Sequence, residues 1–415
     1  MDTPASAELA DRAAAALHAD SDGHPAWRMS LAAMFIAQLL AIIGFAFVMP
    51  FIPFFIRELG VTDPRAVVLW AGWAVTASGL SMAVAAPFWG WVADHYGRKA
   101  MVQRAMFGGA VVMSLMGLSR NVYQLVGLRL AQGAITGTMS ASAAMVSSIV
   151  PRAQLGFSLG LMQVAVFSGN SVGPYIGGIT ADHFGYRVPF TVTGGLLLVG
   201  GLVVLFGARE RFVRPVRREA APHHSLAVIL RVPGAISLLC VFALLNFSSS
   251  FVGPIMPLYV EDLLGRQGQA ASATGLLLAI TGITCACSAV CVGRLSDRHG
   301  HKRVLVICTV LAALLCFPQA AARSVPQLLV IRALFGLGAG GMAPSMNALV
   351  AKAIPRQGLG QAYGLTATAS AMGWATGPAI GGWAASLVGF RCPFAIMGGL
   401  LLLAAMAVQV GVRER

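Results

Sequence analysis

Long apolar runs alternate with short polar breaks along almost the whole chain. Twelve runs stand out, at about 30–56, 68–93, 100–119, 122–150, 154–181, 188–208, 233–260, 272–296, 302–321, 326–352, 358–386 and 392–411. Crossing about 30 Å of hydrocarbon takes roughly 20 helical residues at about 1.5 Å each, and every run reaches that length. In lipid only helices and closed barrels satisfy all backbone groups, and barrel strands alternate apolar with polar residues. These runs are continuous. The pattern therefore predicts an all-α polytopic membrane protein with twelve transmembrane helices.

Composition agrees: 57% of the 415 residues are hydrophobic and 11% charged, against about 25% charged in soluble domains. The net charge of +14 first suggests a nucleic-acid partner. Its distribution argues otherwise. With the N-terminus inside, inner segments hold 20 Lys and Arg and outer loops hold seven, while Arg129 and Arg332 fall within spans. This is the positive-inside asymmetry. It predicts an inner-membrane protein with both termini cytoplasmic, and no nucleic-acid partner. The first 28 residues form a polar tail without the basic segment and apolar core of a secretory signal. All seven cysteines lie in spans, with no metal-ligand or disulfide spacing. No metal site or cofactor is expected. The phosphate-binding pattern Gly-x-x-x-x-Gly-Lys-Ser/Thr does not occur, so ATP is not expected to drive anything. No nucleophile–base cluster suggests an enzyme.

The chain is also written twice. "FVMPFIPFFIREL" at 47–59 matches "FVGPIMPLYVEDL" at 251–263, "GPYIGG" at 173–178 matches "GPAIGG" at 377–382, and Arg129 and Gly133 match Arg332 and Gly336, all at offsets of 203 or 204. Internal repeats of this kind read as two homologous units. The expected organisation is a tail 1–28, a six-helix half 29–208, a basic linker 209–232, a second six-helix half 233–411 and a short terminus 412–415. Parallel halves of this type hold a small-molecule site between them near the midplane and work by rocking.

Charge recurs where the repeat does. "GWVADHYGRKA" at 90–100 returns as "GRLSDRHGHKR" at 293–303. Gly90 and Gly293 let a neighbouring helix approach. Asp94 and Asp297 lie at helix ends, where a carboxylate needs a cation or a helix N-terminus. Gly97 and Gly300 permit a sharp turn. Arg98, Lys99 and Lys302 suit an anionic inner leaflet, and His301 stands where the first copy has Arg98. Arg129 and Arg332 are costly in lipid, so they should face the interior or water. Gly169, Gly173, Pro174, Gly177 and Gly178, with Gly373, Gly377, Pro378, Gly381 and Gly382, predict close-packed, kinked helices.

With these motifs in place, the chain resembles the major facilitator superfamily over 30–411. Within that family it is most similar to twelve-helix drug:proton antiporters of bacterial multidrug efflux. "GWVADHYGRK" resembles the loop 2–3 signature, and "RLAQG" and "GNSVGPYIGG" resemble those of helices 4 and 5. The resemblance implies export of small amphipathic compounds by a monomer exchanging them for protons. It implies that the 90–99 cluster bridges the halves on the cytoplasmic side, and that the helix-5 and helix-11 motifs form the switch. Arg129 and Arg332 become candidates for coupling or substrate contact. Such antiporters often carry an acidic group inside the membrane. Here every Asp and Glu lies in the tail, loops or helix ends. A proton site then falls to Asp94, or to Glu58 or Asp262, and neutral, zwitterionic or anionic cargo fits better than strongly cationic cargo. Candidate cavity residues are Gln38, Phe45, Gln163, Phe167, Asn170, Asn246, Phe247, Phe251, Asn347 and Trp374. A sugar or metabolite exporter of the same fold, and a non-transporting membrane sensor, are the alternatives.

Overall fold

A computed structural model describes residues 27–151, 154–210, 235–265, 269–353 and 359–411, with the side chains of residues 94, 235, 297, 351–353 and 359–364 outside the description. Most of the expected tail, most of the linker and residues 412–415 lie outside the described residues. All regular structure among the described residues is helical.

Twelve spans follow in order: α1a (Trp27–Val48) with α1b (Ile52–Glu58), α2 (Pro64–Tyr96), α3 (Arg98–Gly117), α4a (Val122–Ile135) with α4b (Thr138–Ile149), α5 (Leu155–Phe184) and α6 (Val188–Gly207). The second half runs α7a (Ala235–Phe251) with α7b (Met256–Leu264), α8 (Ala270–His299), α9 (His301–Ala320), α10a (Val325–Gly340) with α10b (Met342–Ala353), α11 (Leu359–Val388) and α12 (Cys392–Gly411). Ten spans are long and apolar enough by themselves to cross a membrane. The other two are α4, divided into pieces of 14 and 12 residues, and α11, which at 30 residues is diluted by Gly, Ala, Ser and Thr.

The apolar pattern predicts unbroken spans, and four are broken. The breaks fall at repeat-equivalent places. Pro50 and Pro53 interrupt α1, and a turn around Pro254 interrupts α7, since proline lacks the amide that continues the ladder. Gly137, at φ +117°, interrupts α4, and Gly341 separates α10a from α10b. Apolarity reports the solvent around a helix, and it is blind to these breaks.

Each half repeats the same packing: α1 lies on α5 and α6 and α3 on α6, as α7 lies on α11 and α12 and α9 on α12. Repeat-equivalent ring pairs fill equivalent places, Phe55 with Phe190 at 4.8 Å and Tyr259 with Phe394 at 5.0 Å. Helix starts repeat too. Asn121 accepts from Gln124 N at 2.9 Å to cap α4a, and Ser324 accepts from Gln327 N at 3.4 Å to cap α10a. The halves meet along two seams only at length, α5 against α8 and α2 against α11.

Candidate functional site

The two seams are copies of each other. A Cβ added to Gly275 of α8 would run into the carbonyl of Pro174 on α5, and one added to Gly72 of α2 into the carbonyl of Pro378 on α11. Likewise Gly178 sits on the backbone of Ala271, and Gly382 lies with its Cβ position 2.7 Å from Val68 O. Such contact needs hydrogen in place of a side chain. The helix-5 motif therefore works on two faces. Gly169, Gly173 and Gly177 hold α5 on α1 at Ile42, Ala46 and Phe47, whereas Pro174 and Gly178 seat the opposite half. In α11, Gly373, Gly377 and Gly381 face α7 at Ala243, Ser250 and Phe251, and Pro378 and Gly382 face α2. Gly177→Ala and Gly381→Ala overpack a half from within. Each is expected to lower stability by about 1–3 kcal/mol, read as a fall in melting temperature of the detergent-solubilised protein.

The seams close at one end of the molecule, the end away from Trp27 and Gly411. There Arg57 of α1b pairs with Glu261 of α7b. Their separation is 204 residues, the repeat offset, so equivalent positions of opposite charge meet across the pseudo-twofold axis. Asp182 at the end of α5 accepts from Ser272 N at 2.7 Å and Ser272 Oγ at 2.6 Å. It thus caps the start of α8 in the other half. Glu58 pairs with Arg187 at 2.6 Å, and Arg187 donates to the Gly117 and Ser119 carbonyls at 2.9 and 3.0 Å. Tyr186 is walled in among these groups. Burial, with the nearby Asp182 and Glu261 carboxylates, pushes its hydroxyl up to about 12.

At the opposite end the halves part. Nothing lies within 4 Å of a Cβ placed on Gly90 or Gly293. Val84 and Phe88 of α2, Phe157 of α5 and Val290 of α8 are exposed. The small residues nevertheless continue: Gly275, Ala279, Gly282, Ala286, Ala289 and Gly293 recur every three or four positions along α8, and Gly72, Thr76, Gly79, Ala83, Ala86 and Gly90 do so along α2. Both stripes are packed near one end and bare near the other.

The charged knots make their turns as predicted, with Gly97 at φ +93° and Gly300 at φ +91°. Their contacts differ from the expected bridge. Arg98 donates through Nη1 to Ala144 O at 3.1 Å, and Lys99 Nζ donates to Leu205 O at 2.8 Å. Lys302 Nζ donates to Gln409 O at 2.8 Å, and the buried His301 meets Ser296 Oγ through Nδ1 at 2.6 Å. These four contacts each join groups of one half, because the halves are apart at this end and carbonyls at helix ends are acceptors within reach. The side chains of Asp94 and Asp297 lie outside the described residues. Sequence reasoning missed Glu210, which accepts from Arg98 N at 2.9 Å and Lys99 N at 2.7 Å and so caps α3. Its signal was present: "GARER" at 207–211 returns as "GVRER" at 411–415.

Arg129 and Arg332 are both buried, and both lie inside their own half rather than on the open cleft. Arg129 donates to Gln132 Oε1 at 2.9 Å. Arg332 lies 3.8 Å from Met256 Sδ and 5.4 and 6.0 Å from the Phe335 and Phe394 rings. Gln38 and Phe251 are buried too, so they do not line the cleft in this conformation. Phe45 and Asn246 are half-buried, the latter donating to Phe242 O at 2.9 Å and Ser370 Oγ at 3.1 Å. Gln163, Phe167, Asn170, Asn347 and Trp374 are exposed. Arg104, counted in the sequence only as inner charge, lies 3.7 Å above the Trp89 ring. It donates to Thr136 O at 3.3 Å, beside the α4 break, while Trp89 Nε1 donates to Ala134 O at 2.6 Å.

This architecture has close counterparts. A nucleoside transporter, NupG, aligns with a TM-score of 0.74 at 13% identity over 92% of this chain and 100% of its own. A bacterial homologue of the lysosomal transporter Spinster, in an inward-facing and occupied conformation, aligns at 0.71 with 13% identity over 92% and 96%. At such identities the likeness is one of fold. Among curated proteins, the multidrug resistance protein MdtG of Klebsiella pneumoniae is 32% identical over 94% of each chain. MdtG of Citrobacter koseri is 32% identical over 94% of this chain and 96% of its own. The family model described as Major Facilitator Superfamily matches residues 34–267 and 238–414. With two like-built six-helix halves and matches along nearly its whole length, this multi-pass membrane protein belongs to the major facilitator superfamily, a family of transporters rather than enzymes.

Proposed function

We propose that the protein exports small amphipathic compounds across the inner membrane by alternating access, with proton influx as the drive and both termini in the cytoplasm. Halves 29–208 and 233–411 rock about the α5–α8 and α2–α11 seams, joined by the linker 209–232. One observation carries this reading: each seam has small residues along its full length but is packed at only one end. A stripe that is never buried has no need of Gly and Ala. The bare ends at Gly90 and Gly293 are therefore surfaces that close in a second state. With the positive-inside asymmetry, the open end faces the cytoplasm and the conformation is the one that loads cargo. The MdtG relatives support a drug-like cargo.

The knots then lock the inner end once it closes, with Asp94 and Asp297 reaching the opposite half. Asp94→Asn is expected to cut transport about tenfold or more, the loss of a charge-assisted contact of about 1.5–3 kcal/mol, while the protein still inserts. Wild-type flux in that variant would remove the lock. Proton drive is checked in inside-out vesicles. A protonophore should collapse uphill uptake of a drug panel, and uptake that persists would reject the coupling. The same panel separates drug from sugar or metabolite cargo.

A further inference from the structure

We infer that Trp374 and Asn170 form the two opposing walls of the cargo site, and that the site takes flat, uncharged aromatic rings carrying a carbonyl. The inference rests on the transport reading above and adds the class of cargo. Trp374 stands in the middle of α11 and Asn170 in the middle of α5, each about 20 Å from either helix end. They are repeat-equivalent, as Arg57 and Glu261 are, so they stand at one depth on opposite walls.

Helix periodicity says which way each points. On α11, Gly373, Gly377 and Gly381 face α7, while Ala375, Pro378 and Gly382 face α2. At 100° per residue, two flanks remain. One carries Met372, Ile380, Trp383 and Leu387, all exposed and apolar for the most part, as a lipid surface should be. The other carries Trp374 with Ala367 and Ala371. On α5 the same construction leaves Val172, Ile176 and Ile179 on one flank and Gln163, Phe167 and Asn170 on the other.

Polar need agrees. The indole of Trp374 is 52% exposed, and among the described residues its N–H has no partner. Tryptophans facing lipid belong at the interfaces, where the N–H meets water or headgroups. At the midplane a lipid-facing N–H would go unsatisfied. The cleft is the one side that supplies water. The side-chain amides of Gln163 and Asn170 are likewise exposed and have no hydrogen-bond partner among the described residues, whereas Trp89 and Asn246, inside their halves, are bonded. Small neighbours Ala367 and Ala371 leave the indole face bare for stacking. No Asp or Glu occurs near the middle of any span, so a fixed positive charge on the cargo finds no counter-ion.

The test uses three probes of like size and shape on the full-length protein in lipid nanodiscs, with partition into empty nanodiscs subtracted: acridone (flat, neutral, one carbonyl and one ring N–H), anthracene (three fused rings with neither) and N-methylacridinium (permanently cationic). Acridone should bind tightest. Trp374→Ala should weaken it about tenfold and Trp374→Phe only two- to threefold. Asn170→Ala should bring acridone down to the level of anthracene. Trp383→Phe, on the lipid flank, should change nothing. Unchanged acridone binding in Trp374→Ala, or N-methylacridinium binding tightest, overturns the site. Vesicles that pump acridone equally well with and without Trp374 leave the transport reading standing and remove this one. Binding that follows the predicted pattern without any pumping does the reverse.

Discussion

Arg57→Glu removes at least about nine-tenths of transport, and adding Glu261→Arg restores most of it. The pair bridges the halves at the end where the seams close, with side chains about one-third exposed, at 33% and 31%. An ion pair that wet contributes about 1 kcal/mol or less. Reversal does more than delete it, because two carboxylates then face each other across the axis, and like charges in contact oppose closure. About 1.4 kcal/mol shifts an open–closed equilibrium tenfold. A transporter that must visit both states then stalls in one of them. The axis makes the rescue clean: exchanging two repeat-equivalent residues returns the same pair in mirror order. Spin labels at Arg120 and Arg323, in repeat-equivalent loops at the closed end of the two halves, should move apart in Arg57→Glu and return in the double variant. Labels that stay at the wild-type distance in Arg57→Glu would mean that the pair does not hold the closed end.

Gly90→Leu and Gly293→Leu test the other end, with an unusual combination of outcomes. Both positions have open space around a Cβ in this conformation, so the variants fold, insert and melt like the parent. Neither seam can then zip at this end, because leucine adds a bulk that a helix backbone cannot approach. Transport falls below about a tenth of wild type, an overpacking cost of about 1–3 kcal/mol. Gly178→Leu has the opposite sign. Its side chain meets Ala271 in the present packing, so it should separate the labels at Arg120 and Arg323. If Gly90→Leu and Gly293→Leu both transport normally, the bare stripes have another purpose and the two-state reading fails.

Much was legible from residues alone, for reasons that are local. Lipid imposes one rule on every exposed position of a span, so apolar runs mark the helices. Duplication shows as matching strings, and a turn such as Gly97–Arg98 depends on a single backbone angle. The family motifs on α5 and α11 were legible as close-packing signals as well. Their division of labour was not: Gly177 and Gly178 are adjacent in the chain, yet one holds α5 to α1 and the other meets α8. Glu210 was passed over because its partners, Arg98 N and Lys99 N, lie more than a hundred residues away. Arg129 and Arg332 read as facing the interior or water, and both are buried, but which interior, the half or the cleft, is not written in either helix.

The sequence by itself determined that the protein lives in a membrane, that it is two copies of one six-helix plan, and that small residues recur in repeat-equivalent places where helices pack closely. Those properties follow from solvent, periodicity and side-chain size, which act position by position. The tertiary structure alone decided which end of each seam is closed, that Arg57 finds Glu261 across the axis, and that the knots hold carbonyls of their own half. The same stripe is able to pack at either end, and no single residue distinguishes the two packings. Only the arrangement of both halves together decides it.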